Sequence, residues 1–280
     1  MIAQGLDIDT KADNLHTLLE YVRKLRAIDF NAYRPGTIKR RLHLRLSATG
    51  MPDYASYLQY IEENPKEIDA LIDTLTIKVS HFFRNPFVFE VMKSFILPEL
   101  IDTHRGDALR IWCAGCARGE EAYSVAILLK EVMGKEKIFP QTFILATDID
   151  RETVEDARRA VYTTESLVEV KKGCLDKYFT VEHDFYRLKN EIRSMVTFAY
   201  HDVTTCKLPK EGIFSDYHLI LCRNVLIYFE RDTQERVMGS LSGSILKDGY
   251  LVLGESETIP HQLDNFYEVM PYTKAFKKRH

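Results

Sequence analysis

Apolar positions divide the chain into a helical first quarter and an alternating remainder. Leu15, Leu18, Leu19, Val22 and Leu25 recur at helical spacing and predict a helix from Asp13, with residues 1 to about 10 frayed. Arg34-Pro35-Gly36 interrupts the pattern. Thr37 is the expected N-cap of a second helix with the stripe Ile38, Leu42 and Leu46, closed by Gly50-Met51-Pro52. Tyr54, Tyr57, Leu58 and Ile61 mark a third helix, and Ile68, Leu71, Ile72 and Leu75 a fourth. From residue 87 a helix to 104 leads into an alternation: strand 109–112, helix 120–133, strand 142–147, helix 151–161. It resumes with strands 196–200 and 217–221, a helix 232–246 with Val237, Leu241 and Ile245 on one face, strand 250–253, and one or two strands within 266–276. Strands alternating with helices predict an α/β fold, a parallel sheet with helices on both faces.

Residues 162–194 break the rhythm. They mix a helical pattern at 165–172 with short alternating runs, Tyr178 to Val181 and Phe185 to Leu188, so an inserted subdomain with small antiparallel strands is expected. The predicted organisation is a helical domain over 11–76, a linker over 77–90 and an α/β domain over 91–280 with its insertion at 162–194.

Composition narrows the class. With 45% hydrophobic and 28% charged residues, 280 residues supply a core for one large or two modest domains. A net charge of −3 argues against a general nucleic-acid binder. No apolar run approaches the roughly 20 residues that span a bilayer, and the first residues lack a secretory-signal pattern, so no membrane insertion is expected. Five scattered cysteines suit a reducing, cytoplasmic setting, and they do not form a metal set.

Charge is nevertheless uneven. Residues 30–52 contain no acid but carry Arg34, Lys39, Arg40, Arg41, His43 and Arg45, with Arg41 and Arg45 one helical turn apart. This is either a solvated helix face or a docking face for an acidic partner; few aromatic side chains are interleaved to stack nucleic-acid bases. In the joining stretch TIKVSHFFRNP, Phe82 and Phe83 are expected to pin the helical domain to the next one. Arg84, beside aromatic anchors, calls for a partner.

The chemistry gathers at LRIWCAGCARGEEAYS, residues 109–124: a strand, a glycine-bearing turn and a helix start, the arrangement that binds nucleotide-like cofactors. Three readings compete. Trp112-Cys113-Ala114-Gly115-Cys116 is a possible redox pair, but a glycine loop separates it from the helix. A dinucleotide site needs G-x-G-x-x-G, which Gly115 and Gly119 do not supply. An S-adenosylmethionine site would use Asp148, at the end of the second strand, for the ribose diol, and Glu120 or Glu121 for the ligand's ammonium. Asp148 as an N-cap, and the glutamates as dipole partners of the helix, are the structural alternatives.

AGCARGEEAYS and ATDID, with FFRNP before them and CRNVLIYF and GYLVLGESE after them, resemble in order and spacing the CheR family of chemoreceptor methyltransferases. The resemblance covers nearly the whole chain. It implies a Rossmann-like S-adenosylmethionine-dependent methyltransferase domain with an N-terminal all-helical domain and a small inserted β-subdomain. It implies methyl transfer from S-adenosyl-L-methionine, giving S-adenosyl-L-homocysteine, to glutamate side chains on the cytoplasmic helices of chemoreceptors. By motif, Arg84 and Tyr228 are the catalytic residues. Ser80, Arg84, Glu121 (with Glu120 as alternative), Asp148, Asp202, Val203, Arg223 and Asn224 are the cofactor-binding residues. Arg34, Lys39, Arg40, Arg41 and Arg45 resemble the receptor-docking surface. The insertion resembles a subdomain that in some members binds a receptor C-terminal peptide, and a monomer is expected. Lys78 stands where the family often has asparagine, Ala117-Arg118 replaces Ser-Thr, and Ala122 replaces proline. The remaining alternatives are a methyltransferase of this fold acting on another substrate and a non-catalytic, cofactor-sensing receptor-binding module.

Overall fold

The computed structural model describes residues 3–104, 107–134, 141–211 and 216–279, with side chains from Asn14 onward. The chain divides into two compact units: Met1–Ile77 with Tyr228–Thr233, and Lys78–Ile227 with Gln234–His280.

The first unit is helical: α1 (Ala3–Arg26), α2 (Pro35–Thr49), α3 (Tyr54–Glu63) and α4 (Glu67–Leu75). α1 starts at Ala3, ahead of Asp13, because apolar spacing cannot reveal a helical turn built from polar residues. α2 starts at Pro35, before Thr37; the locked φ of proline suits the first helical position, where no N–H is needed. Gly50, at φ 72°, closes it by donating its N–H to Leu46 O. Leu18, Val22, Ile38, Leu42, Tyr57 and Leu71 are buried at the centre. The segment Tyr228–Thr233 joins this unit through long-range pairing. Arg34 N–H donates to Tyr228 O at 2.9 Å, Glu230 N–H to Ala32 O at 3.1 Å, and Phe229 meets Tyr33 edge-on at 5.0 Å. Partners nearly 200 residues apart leave no local pattern in the sequence.

The second unit begins at Lys78, so most of the stretch read as a linker belongs to it. Its helices α5 (Pro86–Val91) and α6 (Leu97–Thr103) are joined by a π turn at Met92–Ile96. The main sheet contains β1 (Ala108–Ala114), β2 (Gln141–Asp148), β6 (Val196–Tyr200), β7 (Tyr217–Cys222), β8 (Ile245–Leu253), β9 (Phe266–Glu268) and β10 (Ala275–Lys278). Its order is β6-β2-β1-β7-β8-β10-β9; the first five strands run parallel, and β10 is antiparallel to both its neighbours. α7 (Glu120–Met133), α8 (Arg151–Arg159) and α11 (Arg231–Gly243) complete the alternation. Ile245 lies in β8 rather than in the helix before it. The bend at Asp248, φ 60°, and Gly249 lets one strand absorb the predicted turn.

The insertion holds β3 (Val161–Tyr162), β4 (Phe179–Glu182) and β5 (Phe185–Leu188) in an antiparallel sheet, order β3-β5-β4, with α9 (Lys172–Tyr178) and α10 (Asn190–Arg193). The helix expected at 165–172 is a short 3-10 turn, Thr164–Leu167, and α9 follows it. Phe82, fully buried, meets Tyr162 and Phe179 edge-on at 4.8 and 5.3 Å, and Phe83 meets Phe89 at 5.5 Å. Both phenylalanines thus fasten the FFR stretch inside the second unit, to the insertion and α5.

Candidate functional site

β1 lies between β2 and β7, where the order of strand addition reverses, so the C-terminal ends of these strands open on one crevice. Ala114, the last residue of β1, lies opposite Thr147, one residue before the end of β2. The loop after β1 therefore folds over the end of β2. Gly115 and Cys116 N–H donate to Thr147 O at 2.8 and 2.9 Å, and Ala117 N–H donates to Asp148 Oδ2 at 2.9 Å. Gly115, at φ 71°, lies so close to Val225 that a Cβ would meet Val225 Cγ2 at 2.3 Å. Gly119, at φ 88°, would meet the Phe198 ring at 2.8 Å. Only glycine satisfies both the backbone angle and the space at these two positions.

Asp148 is not the N-cap of α8. That role belongs to Asp150, which accepts Thr153 N–H at 3.1 Å. The two oxygens of Asp148 accept one backbone N–H each, from Ala117 and Asp150, which fixes the carboxylate and leaves lone pairs for a diol. Burial raises its pKa, and those N–H bonds oppose the rise. His201 N–H donates to Asp148 O at 2.9 Å and brings the end of β6 alongside. Asp202 follows, but its Oδ1 is engaged by the Thr204 N–H and hydroxyl at 2.9 and 2.7 Å, capping the short turn that begins at Val203.

The first turn of α7 supplies two glutamates with different surroundings. Glu121 pairs with Arg223 at 2.9 Å; burial raises its pKa and Arg223 opposes the rise. Glu120 is 1% exposed, bonds the Ser80 side chain and is pushed up to about 7 by burial, while its Oε2 has no hydrogen-bond partner among the described residues. Arg223 is a strut: besides Glu121, its Nη2 donates to Arg84 O and Asn85 Oδ1, both at 2.9 Å. Arg84, the residue this strut holds, is half-buried, and its guanidinium donates to Val79 O at 3.2 Å. Lys78, at the departure from asparagine, pairs with Asp150 at 2.9 Å.

Glu257 is the residue that sequence reasoning missed. Buried, it accepts the N–H groups of Asn224 and Gly254 on Oε2, at 2.9 and 2.6 Å. It accepts those of Val225, Leu226 and Ile227 on Oε1, at 2.9, 2.8 and 3.4 Å. One carboxylate thus organises the loop of the CRNVLIYF motif, where Asn224 adopts a left-handed φ of 59°. GESE was visible only as part of a motif; the nest it fills comes from a loop some 30 residues earlier.

Other predicted groups play different parts. Cys113 and Cys116 are free, buried thiols whose pKa is raised well above the ordinary value by burial, the opposite of a redox-active pair. Among the described residues no metal-binding cluster occurs and no helix is long and apolar enough to cross a membrane. In the helical unit the basic set divides. Arg45 makes a two-pronged pair with Glu67, itself bonded by Tyr57 Oη, and Arg41 donates to Thr74 O at 2.6 Å, so both tie α2 to α4. Arg34 Nε donates to Phe229 O at 3.2 Å. Lys39 and Arg40 are exposed, as is Arg34. Tyr228 lies in the segment held by Arg34, in electrostatic contact with Arg41.

Residues 78–276 match the family model described as CheR methyltransferase, SAM binding domain, and residues 13–76 the model described as CheR methyltransferase, all-alpha domain. The chain belongs to the CheR methyltransferase family. It is an S-adenosylmethionine-dependent methyltransferase, and the domain matched as SAM binding contains the crevice at the strand ends. A chemotaxis protein methyltransferase of Borreliella burgdorferi is 30% identical over 275 residues, covering 96% of each chain. One of Escherichia coli is 31% identical, covering 80% of this chain and 77% of its own. An uncharacterised 104.1 kDa protein of Rhodobacter capsulatus is 32% identical over 91% of this chain, which spans 26% of that protein's length.

The residues present fit the cofactor. The crevice offers a fixed carboxylate with free lone pairs at Asp148 and a buried oxygen at Glu120 with no hydrogen-bond partner among the described residues. A carboxylate bonded to a hydroxyl contributes about 1.5–3 kcal/mol, roughly 10- to 100-fold in affinity. Asp148→Ala is therefore expected to weaken S-adenosylhomocysteine binding about 10-fold or more; equal affinity by calorimetry would remove Asp148 from the site.

Proposed function

We propose that this protein forms methyl esters on glutamate side chains of the cytoplasmic helices of chemoreceptors, the acceptor that CheR membership implies. The observation that carries the reading is Arg84, whose half-buried guanidinium acts on Glu121 of the crevice while its backbone is fixed by Arg223. A glutamate acceptor is already ionised at pH 7 and needs no general base. What remains for the protein is to bring two reactants together and exclude water from them. When bound, S-adenosylmethionine supplies a methyl group on a sulfonium centre that leaves as a thioether. Asp148 holds the ribose end, and Glu120 or Glu121 answers the ammonium. Ser80, Asp202, Val203, Arg223 and Asn224 are proposed to complete the pocket; the pairing of Arg223 with Glu121 and the unpartnered Oε2 of Glu120 favour Glu120 of the two glutamates for the ammonium. Arg84 orients the incoming carboxylate. Tyr228 is proposed as the second catalytic residue on the strength of its motif.

For docking, Arg34, Lys39 and Arg40 are exposed members of the basic set; Arg41 and Arg45 carry α2 rather than the partner. A receptor C-terminal peptide on the inserted sheet, a monomeric state and a cytoplasmic location are further parts of this reading. The test is transfer of labelled methyl groups to receptor cytoplasmic fragments, compared with RNA, followed by mild base. Incorporation into the fragments that base releases is expected of an ester. Base-stable label, or label on RNA, would replace the substrate, and tight cofactor binding with no turnover would favour a non-catalytic receptor-binding module.

A further inference from the structure

The second unit contains a cavity of about 290 Å³ away from the strand ends, walled by Phe83, Pro86, Phe89, Ile127, Leu128 and Cys174. An engineered cavity of about 150 Å³ admits benzene, so this one has room for a fused bicyclic ring. Its rim carries the carboxylates of Glu90, Glu131 and Glu169 and the ammonium groups of Lys93 and Lys171. Lys171 pairs with Glu90 at 2.6 Å and Lys93 pairs with Glu131. A third ammonium, Lys177, acts on Glu131 and Cys174 from nearby. Glu169 belongs to neither pair and faces His81, so it is the rim carboxylate available to a ligand's cation. The Cys174 thiol is pushed up to about 12 by burial and adds no charge.

A second observation links this cavity to the reacting end of the site. Phe83 and Asn85, on either side of Arg84, have φ of 54° and 62°, a region that costs a residue other than glycine about 1–3 kcal/mol. The strain is held in place from the side of the crevice. Phe83 N–H donates to Ser124 Oγ at 2.9 Å, and Arg223 holds Arg84 O and Asn85 Oδ1. Phe89 packs edge-on against Phe83 and carries the Arg223 guanidinium 5.3 Å from its ring centre. The two rings that wall the cavity are thus fastened to the two arginines of the crevice.

We propose that this cavity is a second ligand site, for a small molecule with a planar aromatic body and a positively charged amine, and that its occupancy shifts the strained turn carrying Arg84. The aromatic body fills the apolar wall. The amine meets Glu169 and the faces of the phenylalanine rings, which attract cations. The effect on turnover rests on the reading of Arg84 as catalytic; the binding does not.

The full chain, saturated with S-adenosylhomocysteine to block the crevice, is titrated by NMR with tryptamine and with indole-3-propionate, its anionic counterpart. Tryptamine is expected to bind at least 10-fold more tightly. Gly173 lines the cavity and a Cβ there meets nothing within 4 Å, so Gly173→Trp can be accommodated; it is expected to weaken tryptamine at least 10-fold with S-adenosylhomocysteine affinity unchanged. Glu169→Gln is expected to bring the two probes together. Cys174→Phe serves as a second filler should the first variant fail to fold. Equal affinity for both probes, or unchanged tryptamine binding in a folded, filled variant, overturns the site. Saturating tryptamine is expected to change the turnover of the unsubstituted protein at least threefold and that of Gly173→Trp not at all. A bound probe with unchanged turnover overturns the coupling, whereas no turnover without any probe counts against the proposed function instead.

Discussion

Arg84→Ala is expected to lower methyl-transfer turnover about 100-fold or more while S-adenosylhomocysteine affinity stays within about threefold. Removing a preorganised donor from the reacting centre of other enzymes costs about 100- to 1,000-fold. Here the side chain is unusually separable from the fold. Its guanidinium makes a hydrogen bond to Val79 O within the same stretch, while the backbone around it is held through Ser124 and Arg223. Truncation therefore deletes a charge and a planar fork without loosening the turn. Arg84→Lys keeps the charge but not the fork and is expected to fall between the two. Steady-state rates with a receptor fragment, and calorimetry with S-adenosylhomocysteine, separate the outcomes. Unchanged turnover would remove Arg84 from the chemistry, and a matching loss of affinity would make it a cofactor ligand.

Glu257→Gln is expected to lower the melting temperature by about 5 °C or more and turnover about 10-fold or more. The carboxylate accepts five backbone N–H groups, which an acceptor-only group with two oxygens can do. An amide turns one of those positions into a donor facing donors. Hydrogen bonds to a charged group are worth about 1.5–3 kcal/mol each, and a buried donor left unmet costs about 1–3 kcal/mol. The loop that suffers holds Asn224 and Val225, and Val225 packs on Gly115, so the damage reaches both walls of the crevice. Glu257→Asp keeps the charge on a shorter arm and is expected to recover part of the stability. A thermal melt and a turnover assay equal to those of the unsubstituted protein would show the nest to be dispensable.

Much of the second unit was legible because its pattern is local. α7 and β6 fall where apolar spacing placed them, since a buried parallel strand and a helix each write their period into consecutive residues. Asp148 was legible for the same reason: it ends a strand beside a glycine turn. Arg41 and Arg45 show the limit. Spacing put them on one face but could not say that this face turns inward to Thr74 and Glu67, because a charged residue with a buried partner looks like any other charged residue. Glu120 and Glu121 are adjacent in sequence and acidic alike, yet only packing against Arg223 and Ser80 separates them. Glu257 could not have been found, as its five donors lie on another loop and at the end of a strand.

By itself the sequence determined the order of elements, the glycine turn with its carboxylate, and, through its motifs, the family and its cofactor. These depend on neighbours within a few residues, where period, turn chemistry and motif spacing act. The tertiary structure alone decided that FFR is anchored to the insertion, that Tyr228–Thr233 packs with the helical unit, that Arg223 is a strut, and that Glu257 holds the loop. Each of these depends on hydrogen bonds and buried contacts between residues far apart in the chain. Their energies are set by which partners folding brings together, and no local pattern records that.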